Sequence, residues 1–183
     1  MSADNYFITD QNATYFLTFT VTDWIDVFTR NEYKTVITES LNYCIHNKGF
    51  EIFAWCLMSN HIHLVCRAKE DFRISDIIRD FKKFTAKQIL KKIETEPESR
   101  KEWLLYRFEY AGNFDNRIKK YKFWQETNHA VLLDTNEMVD RRINYTHENP
   151  VRALVVSNAE NYLFSSARDY AGEKGYVDVH VEK

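Results

Sequence analysis

Two β-rich apolar runs, Phe50–Leu57 and Asn60–Ala68, are separated only by the turn Met58-Ser59-Asn60, and this pairing constrains the fold more than any other stretch. Strands joined so closely run antiparallel. The second run contains His61-Ile62-His63. Because side chains alternate with period two along a strand, both imidazoles share one face while Ile62 and Leu64 point into a core. Two imidazoles fixed on an interior strand suit a divalent metal.

The rest of the chain supplies a sheet and its cover. Tyr15, Leu17, Phe19 and Val21 alternate with Phe16, Thr18 and Thr20, which reads as a strand. Thr29-Arg30-Asn31-Glu32 has capping-box spacing, and the helix it opens carries Val36, Ile37, Leu41, Cys44 and Ile45 before Gly49 closes it. A second helix is predicted from about Ile74 to Ile93, and Glu94–Arg100, with Pro97, reads as an exposed loop. No single period resolves residues 101–118, where Trp103-Leu104-Leu105-Tyr106 looks ordered and Ala111–Asn116 looks like a turn. Tyr121–Trp124 and Ala130–Leu133 form either an extended pair or one interrupted strand. The tally predicts one α+β domain over residues 1–183, with its core at about 15–170: a ferredoxin-like antiparallel sheet with helices on one side.

A last helix is expected from Glu137, with Asp134, Thr135 and Asn136 as N-cap candidates. Pro150 disfavours helical geometry at Asn149, so Tyr145 and Asn149, four apart, fall near the helix C-terminus on one face. Val139, Ile143 and Thr146 form an adjacent stripe able to pack on the sheet, leaving the phenol and the carboxamide at its edge.

A net charge of −2 and a pI of about 6.3 exclude a protein that coats nucleic acid indiscriminately. Local charge is different: between Arg79 and Lys92 six basic residues face one acid, Asp80. Arg79, Lys83, Lys87 and Lys91 recur every four residues along one helix face, while Ile74, Ile77, Ile78, Phe81 and Phe84 form the apolar face. A solvated surface and a phosphate-binding surface both fit that stripe. Cys44, Cys56 and Cys66 sit in apolar contexts without zinc spacing and read as reduced core thiols. The polar start Met1–Asn5 and the lack of a long apolar run predict a soluble, cytoplasmic protein without a membrane span.

Two histidines, a carboxamide and a tyrosine make a coherent set for phosphodiester chemistry. A divalent cation held by imidazoles and an amide oxygen polarises a phosphate, while a phenolic oxygen attacks phosphorus in line. The resulting phosphotyrosine keeps the energy of the broken bond, so a 3′-hydroxyl can reverse the step on another strand. Cleavage by water needs no tyrosine.

The chain resembles the His-hydrophobic-His single-tyrosine transposases of the IS200/IS605 type, most closely the REP-associated tyrosine transposases. The resemblance rests on Met58-x-Asn60-His61-Ile62-His63-Leu64, Phe81-Lys82-Lys83-Phe84-Thr85, Phe123-Trp124-Gln125 with His129, and Tyr145-x-x-x-Asn149-Pro150-Val151-Arg152-Ala153, in family order. It implies a catalytic domain that binds hairpin-forming single-stranded DNA and cuts beside the hairpin with Mg2+ or Mn2+. His61, His63 and Asn149 correspond to the metal ligands and Tyr145 to the nucleophile. It also implies DNA contacts from Arg79, Lys82, Lys83, Lys87 and Lys91. Arg141, Arg142 and Arg152 flank the helix of Tyr145, where holding the scissile phosphate and solvation or ion pairing fit each equally. Two departures affect local turns: Ser59 stands where proline is common, and Leu154 where glycine often follows Arg-Ala. A nucleoid-associated enzyme follows, for which a homodimer and a monomer both fit. The competing readings are a domesticated hairpin-DNA-binding protein and a metal-dependent nuclease or RNA-processing enzyme that uses water.

Overall fold

Alternation along the first strand sorts the molecule into two layers. In the computed structural model, which describes residues 7–181, strand β1 is Tyr15–Thr20, β2 Phe50–Leu57, β3 His61–Ala68 and β4 Val131–Leu132. The segment Met1–Asn5 lies outside the described residues. The sheet order is β2-β3-β1-β4 and all neighbours are antiparallel, the α+β ferredoxin-like arrangement with β1 and β3 central. Tyr15, Leu17 and Phe19 meet Ile62, Leu64 and Cys66 on one face, beneath α1 (Asn31–Asn47) and α2 (Ile74–Thr95). Phe16 points the other way and packs with Phe53, Val65 and the Val139 and Ile143 side chains of an opposed helix, Asn136–Arg152.

Helices therefore cover both faces of the sheet, where the sequence had suggested one. The physical reason is that Phe16, Val65 and Phe53 make the second face apolar as well. A register shift between Ile52 and Ala54 in the β2–β3 ladder turns both Phe53 and Ala54 into this second core.

The unassigned stretch contains a helix, α3 (Lys101–Gly112), which buries only Leu104, Phe108 and Gly112. The helix Asn136–Arg152 is accordingly α4, and a short α5 spans Ala167–Tyr170. Tyr121–Trp124 is not a strand; it joins the sheet through one bridge, Val21 to Trp124, and β4 is only two residues long.

Caps refine the helix boundaries. Thr135 caps α4 by accepting from the Met138 N–H at 3.2 Å. Thr29 does not cap α1, which starts after Arg30; its Oγ1 instead accepts from Arg100 at 3.2 Å. Pro150 lies inside α4, which continues through Asn149 to Arg152. A proline's fixed φ is compatible with a final turn, and the Asn149 and Pro150 carbonyls accept from the N–H groups of Ala153 and Val155. Leu154 then adopts φ 57°, the left-handed conformation for which a glycine is suited. Gly49 ends α1 in the same region, φ 61°, with the Phe72 ring in the space a Cβ would need.

The three cysteines are buried free thiols, and burial pushes Cys44 up to about 11. No helix among the described residues is long and apolar enough to cross a membrane.

Candidate active site

Strand alternation places His61 and His63 side by side, with ring centroids 4.7 Å apart. The antiparallel register sets Thr18 opposite His63, and the Thr18 hydroxyl lies 2.9 Å from His63 Nδ1. His61 Nδ1 is 2.7 Å from Asn60 Oδ1. The Asn60 NH2 donates to the Trp24 carbonyl and to Asp26, so its Oδ1 is the acceptor and His61 Nδ1 carries the proton. Engaged Nδ1 atoms leave Nε2 as the nitrogen open to a ligand on each ring.

His63 is buried, stacked on Phe16 at 5.2 Å. Burial, then His61 and the charges of Arg152 and Arg142, hold it down to about 3, and burial lowers His61 as well. Both rings are neutral at pH 7, the form that binds a metal.

Val139, Ile143 and Thr146 bury one stripe of α4 and so orient its neighbours. Tyr145 lies over the central strands, 37% exposed, with its ring edge-on to His63 at 5.6 Å and to Phe16 at 5.7 Å. Arg142 lies 4.7 Å above Phe16 and 5.7 Å from the Tyr145 ring. Arg152 lies over that ring at 4.3 Å and donates to the Tyr145 carbonyl at 2.9 Å. Arg141 points elsewhere, pairing with Glu137 at 2.7 Å. Asn149 sits half-buried one turn after Tyr145.

The donor set fits a divalent cation in part through residues other than acids. Among the described residues no three His, Cys, Asp or Glu side chains cluster around a point, so two neutral imidazoles need a further oxygen donor. Asn149 offers one on the same helix as Tyr145. Imidazole nitrogen with amide oxygen suits Mn2+ better than the harder Mg2+.

Sequence reasoning missed Phe16, Thr18 and Trp24. Phe16 and Thr18 lie on the strand face opposite Tyr15, Leu17 and Phe19, but only the β1–β3 register reveals that this is the histidine face. Trp24 is exposed on a turn, its ring edge-on to His61 at 6.2 Å.

The basic stripe occupies the other side of the sheet, because α2 buries Ile74, Ile77, Ile78 and Phe81 in the opposite core. Arg79 is exposed but bonded to Asp76 at 2.7 Å and Asp80 at 3.0 Å. Lys82 turns inward, a correction to its grouping with the DNA contacts: Nζ donates to the Gln125 carbonyl at 2.7 Å and to Asn128 at 2.8 Å, and burial lowers it to about 8. Phe84 is half-exposed rather than apolar core; Thr85, Ile89 and Ile93 complete the buried face. Thr85 accepts from the Trp124 indole at 3.1 Å, so two of the four sequence blocks pack on each other. Lys83, Lys87 and Lys91 remain exposed, and the first two border an α1–α2 groove of about 760 Å³ with Tyr43 and Phe84.

Residues 9–113, more than half of the chain, match the family model described as transposase, IS200 like. No curated protein matches the sequence. Among solved structures, a REP-associated tyrosine transposase bound to a REP hairpin superposes with a TM-score of 0.62 at 18% identity, covering 98% of this chain and 92% of that one.

Proposed function

This chain belongs to the IS200-like transposase family, and from that premise we propose that it cuts and rejoins single-stranded DNA beside a hairpin through a phosphotyrosine on Tyr145. The observation that carries the reading is the half-exposed Tyr145 ring set against His63 with Arg142 and Arg152 both close to it. The hairpin bound to the superposable transposase supports the substrate class.

His61, His63 and Asn149 would hold Mn2+ or Mg2+, which supplies Lewis-acid polarisation of a non-bridging phosphate oxygen. The protein's own groups do the rest. Tyr145 Oη attacks phosphorus in line as the phenol loses its proton; the bond to the 3′-oxygen breaks and that oxygen gains a proton. Tyr145 keeps the 5′-phosphate, and a 3′-hydroxyl reverses the exchange. Arg142 and Arg152, already beside the phenol, complement the charge of the scissile phosphate. Phe16 and Thr18 fix the His63 ring by stacking and hydrogen bonding.

The test is a hairpin oligonucleotide labelled at either end and incubated with Mn2+. The expected result is release of the 5′-labelled fragment and retention of the 3′-labelled fragment on the protein under denaturing conditions, both lost in EDTA. Release of both labels would identify a water-using nuclease, and binding without cutting a hairpin-recognition protein.

A further inference from the structure

We infer that Trp24 and the aromatic face of α3 form a stacking track for unpaired bases leading to the histidine pair; this rests on the DNA reading above. The helix exposes Trp103, Tyr106 and Tyr110, with Phe114 just beyond it, although large apolar side chains are normally withdrawn from water. They are not scattered. Tyr106 and Tyr110 are stacked, with centroids 6.2 Å apart, and Tyr110 meets Phe114 edge-on at 5.0 Å. A ladder of ring faces open to solvent matches the way bases are held when no hydrogen-bond readout is involved.

The face is tied to the candidate active site. Arg107, between Tyr106 and Tyr110 in sequence, pairs with Asp23 at 2.6 Å, and Arg100 at the helix start bonds to the Asp26 carbonyl at 2.9 Å. Both anchors grip the loop that carries Trp24. That indole is 58% exposed, edge-on to His61, on a backbone in which Asp23 and Trp24 both have φ 55°. Two consecutive left-handed residues other than glycine are costly, and here the Arg107 and Asn60 bonds hold them. The result is an aromatic ring projected beside the ligand histidine.

Charge selects the occupant. From Arg100 to Lys122, α3 and the loop after it carry seven cations against three carboxylates in a chain of net charge −2; Arg100, Arg107, Arg117 and Lys122 are ion-paired, while Lys101, Lys119 and Lys120 enter no ion pair among the described residues. A polyanion with aromatic bases complements such a surface, whereas a second copy docked face to face would oppose like charges.

The experiment measures anisotropy of a labelled single-stranded dT20 and of a 20-base-pair duplex with the full chain in EDTA, using Trp24→Ala, Trp24→Phe and the double variant Y106A/Y110A. Each Ala variant should weaken dT20 binding about tenfold or more, as expected for loss of one stacked base. Duplex binding and the salt slope should be unchanged, Trp24→Phe should keep most of the affinity, and thermal melts should match wild type because the rings are exposed. Unchanged dT20 affinity, equal losses on duplex, or a wild-type dimer that the Y106A/Y110A pair turns into a monomer would overturn the track. The end-labelled hairpin assay on wild type separates the two ideas: cleavage with retained 3′ label alongside unaffected ring variants removes only the track.

Discussion

The α4 face and the α2 face both combine cations with aromatic rings, yet their cations are in different states. On the α4 face Arg142 and Arg152 lie over Phe16 and Tyr145, and among the described residues neither forms an ion pair. On the α2 face the states are mixed: Arg79 is held by Asp76 and Asp80, Lys48 also pairs with Asp80, and Lys92 pairs with Glu96, whereas Lys83, Lys87 and Lys91 form no ion pair among the described residues. A positive count in a sequence therefore adds neutralised and available charges alike. The available ones near Tyr145 are only two, but they stand where phosphate charge would concentrate.

The contrast is most exposed to failure at His63. Replacing it with Ala should reduce hairpin cleavage at least about a hundredfold, given that even partners of metal ligands cost ten- to hundredfold. Single-turnover cleavage with Mn2+ measures this, with circular dichroism to confirm the fold. Wild-type cleavage by the variant would mean that the chemistry lies away from the histidine face.

Lys82 sharpens the comparison from the other side. Lys82→Met leaves the Gln125 carbonyl and Asn128 without their donor and should cost about 1–3 kcal/mol in urea unfolding. The pH dependence has a defined sign. Between about 8, its folded value, and 10.5 the unfolded chain holds a proton that the folded chain has released, so wild-type stability gains a rising contribution through that window. Lys82→Met should lack that rise. Its DNA salt slope should equal that of wild type.

A smaller effect distinguishes stripe residues from one another. The double variant Lys83→Gln with Lys87→Gln should flatten log K against log salt by about two units, whereas Arg79→Gln, already paired with two carboxylates, should change the slope by well under one unit. Equal slopes for all three proteins would return the whole α2 face to a solvated surface. The smallest expected change is at the turn after α4. Leu154 is 90% exposed at φ 57°, so Leu154→Gly relieves strain without losing packing and should stabilise by up to about 1 kcal/mol in the same denaturation assay.

These cases also show what the sequence made legible. Strands β1 to β3 and helices α1, α2 and α4 were readable because each buries a face with a clear period. Helix α3 was not, since its rings at 103, 106 and 110 face water and blur the 3.6-residue period. The histidine pair followed from strand alternation, and the Tyr145–Asn149 spacing from the helix. Which face those groups shared with Phe16 depended on the β1–β3 register, a non-local property that no local pattern encodes. The inward turn of Lys82 was hidden for the same reason: its partners, Gln125 and Asn128, lie more than forty residues away.

The central claim is that Tyr145 is the nucleophile, and the most direct measurement is peptide mass analysis of the denatured protein–DNA adduct formed with Mn2+, for wild type and for Tyr145→Phe. The substitution removes one oxygen while keeping the ring between Phe16, His63 and Arg152. The account predicts a nucleotide mass on the Tyr145 peptide of wild type, and from Tyr145→Phe normal hairpin binding with no adduct. An adduct on Tyr121, Tyr162 or Tyr170, or cleavage by Tyr145→Phe at the wild-type rate, would contradict it.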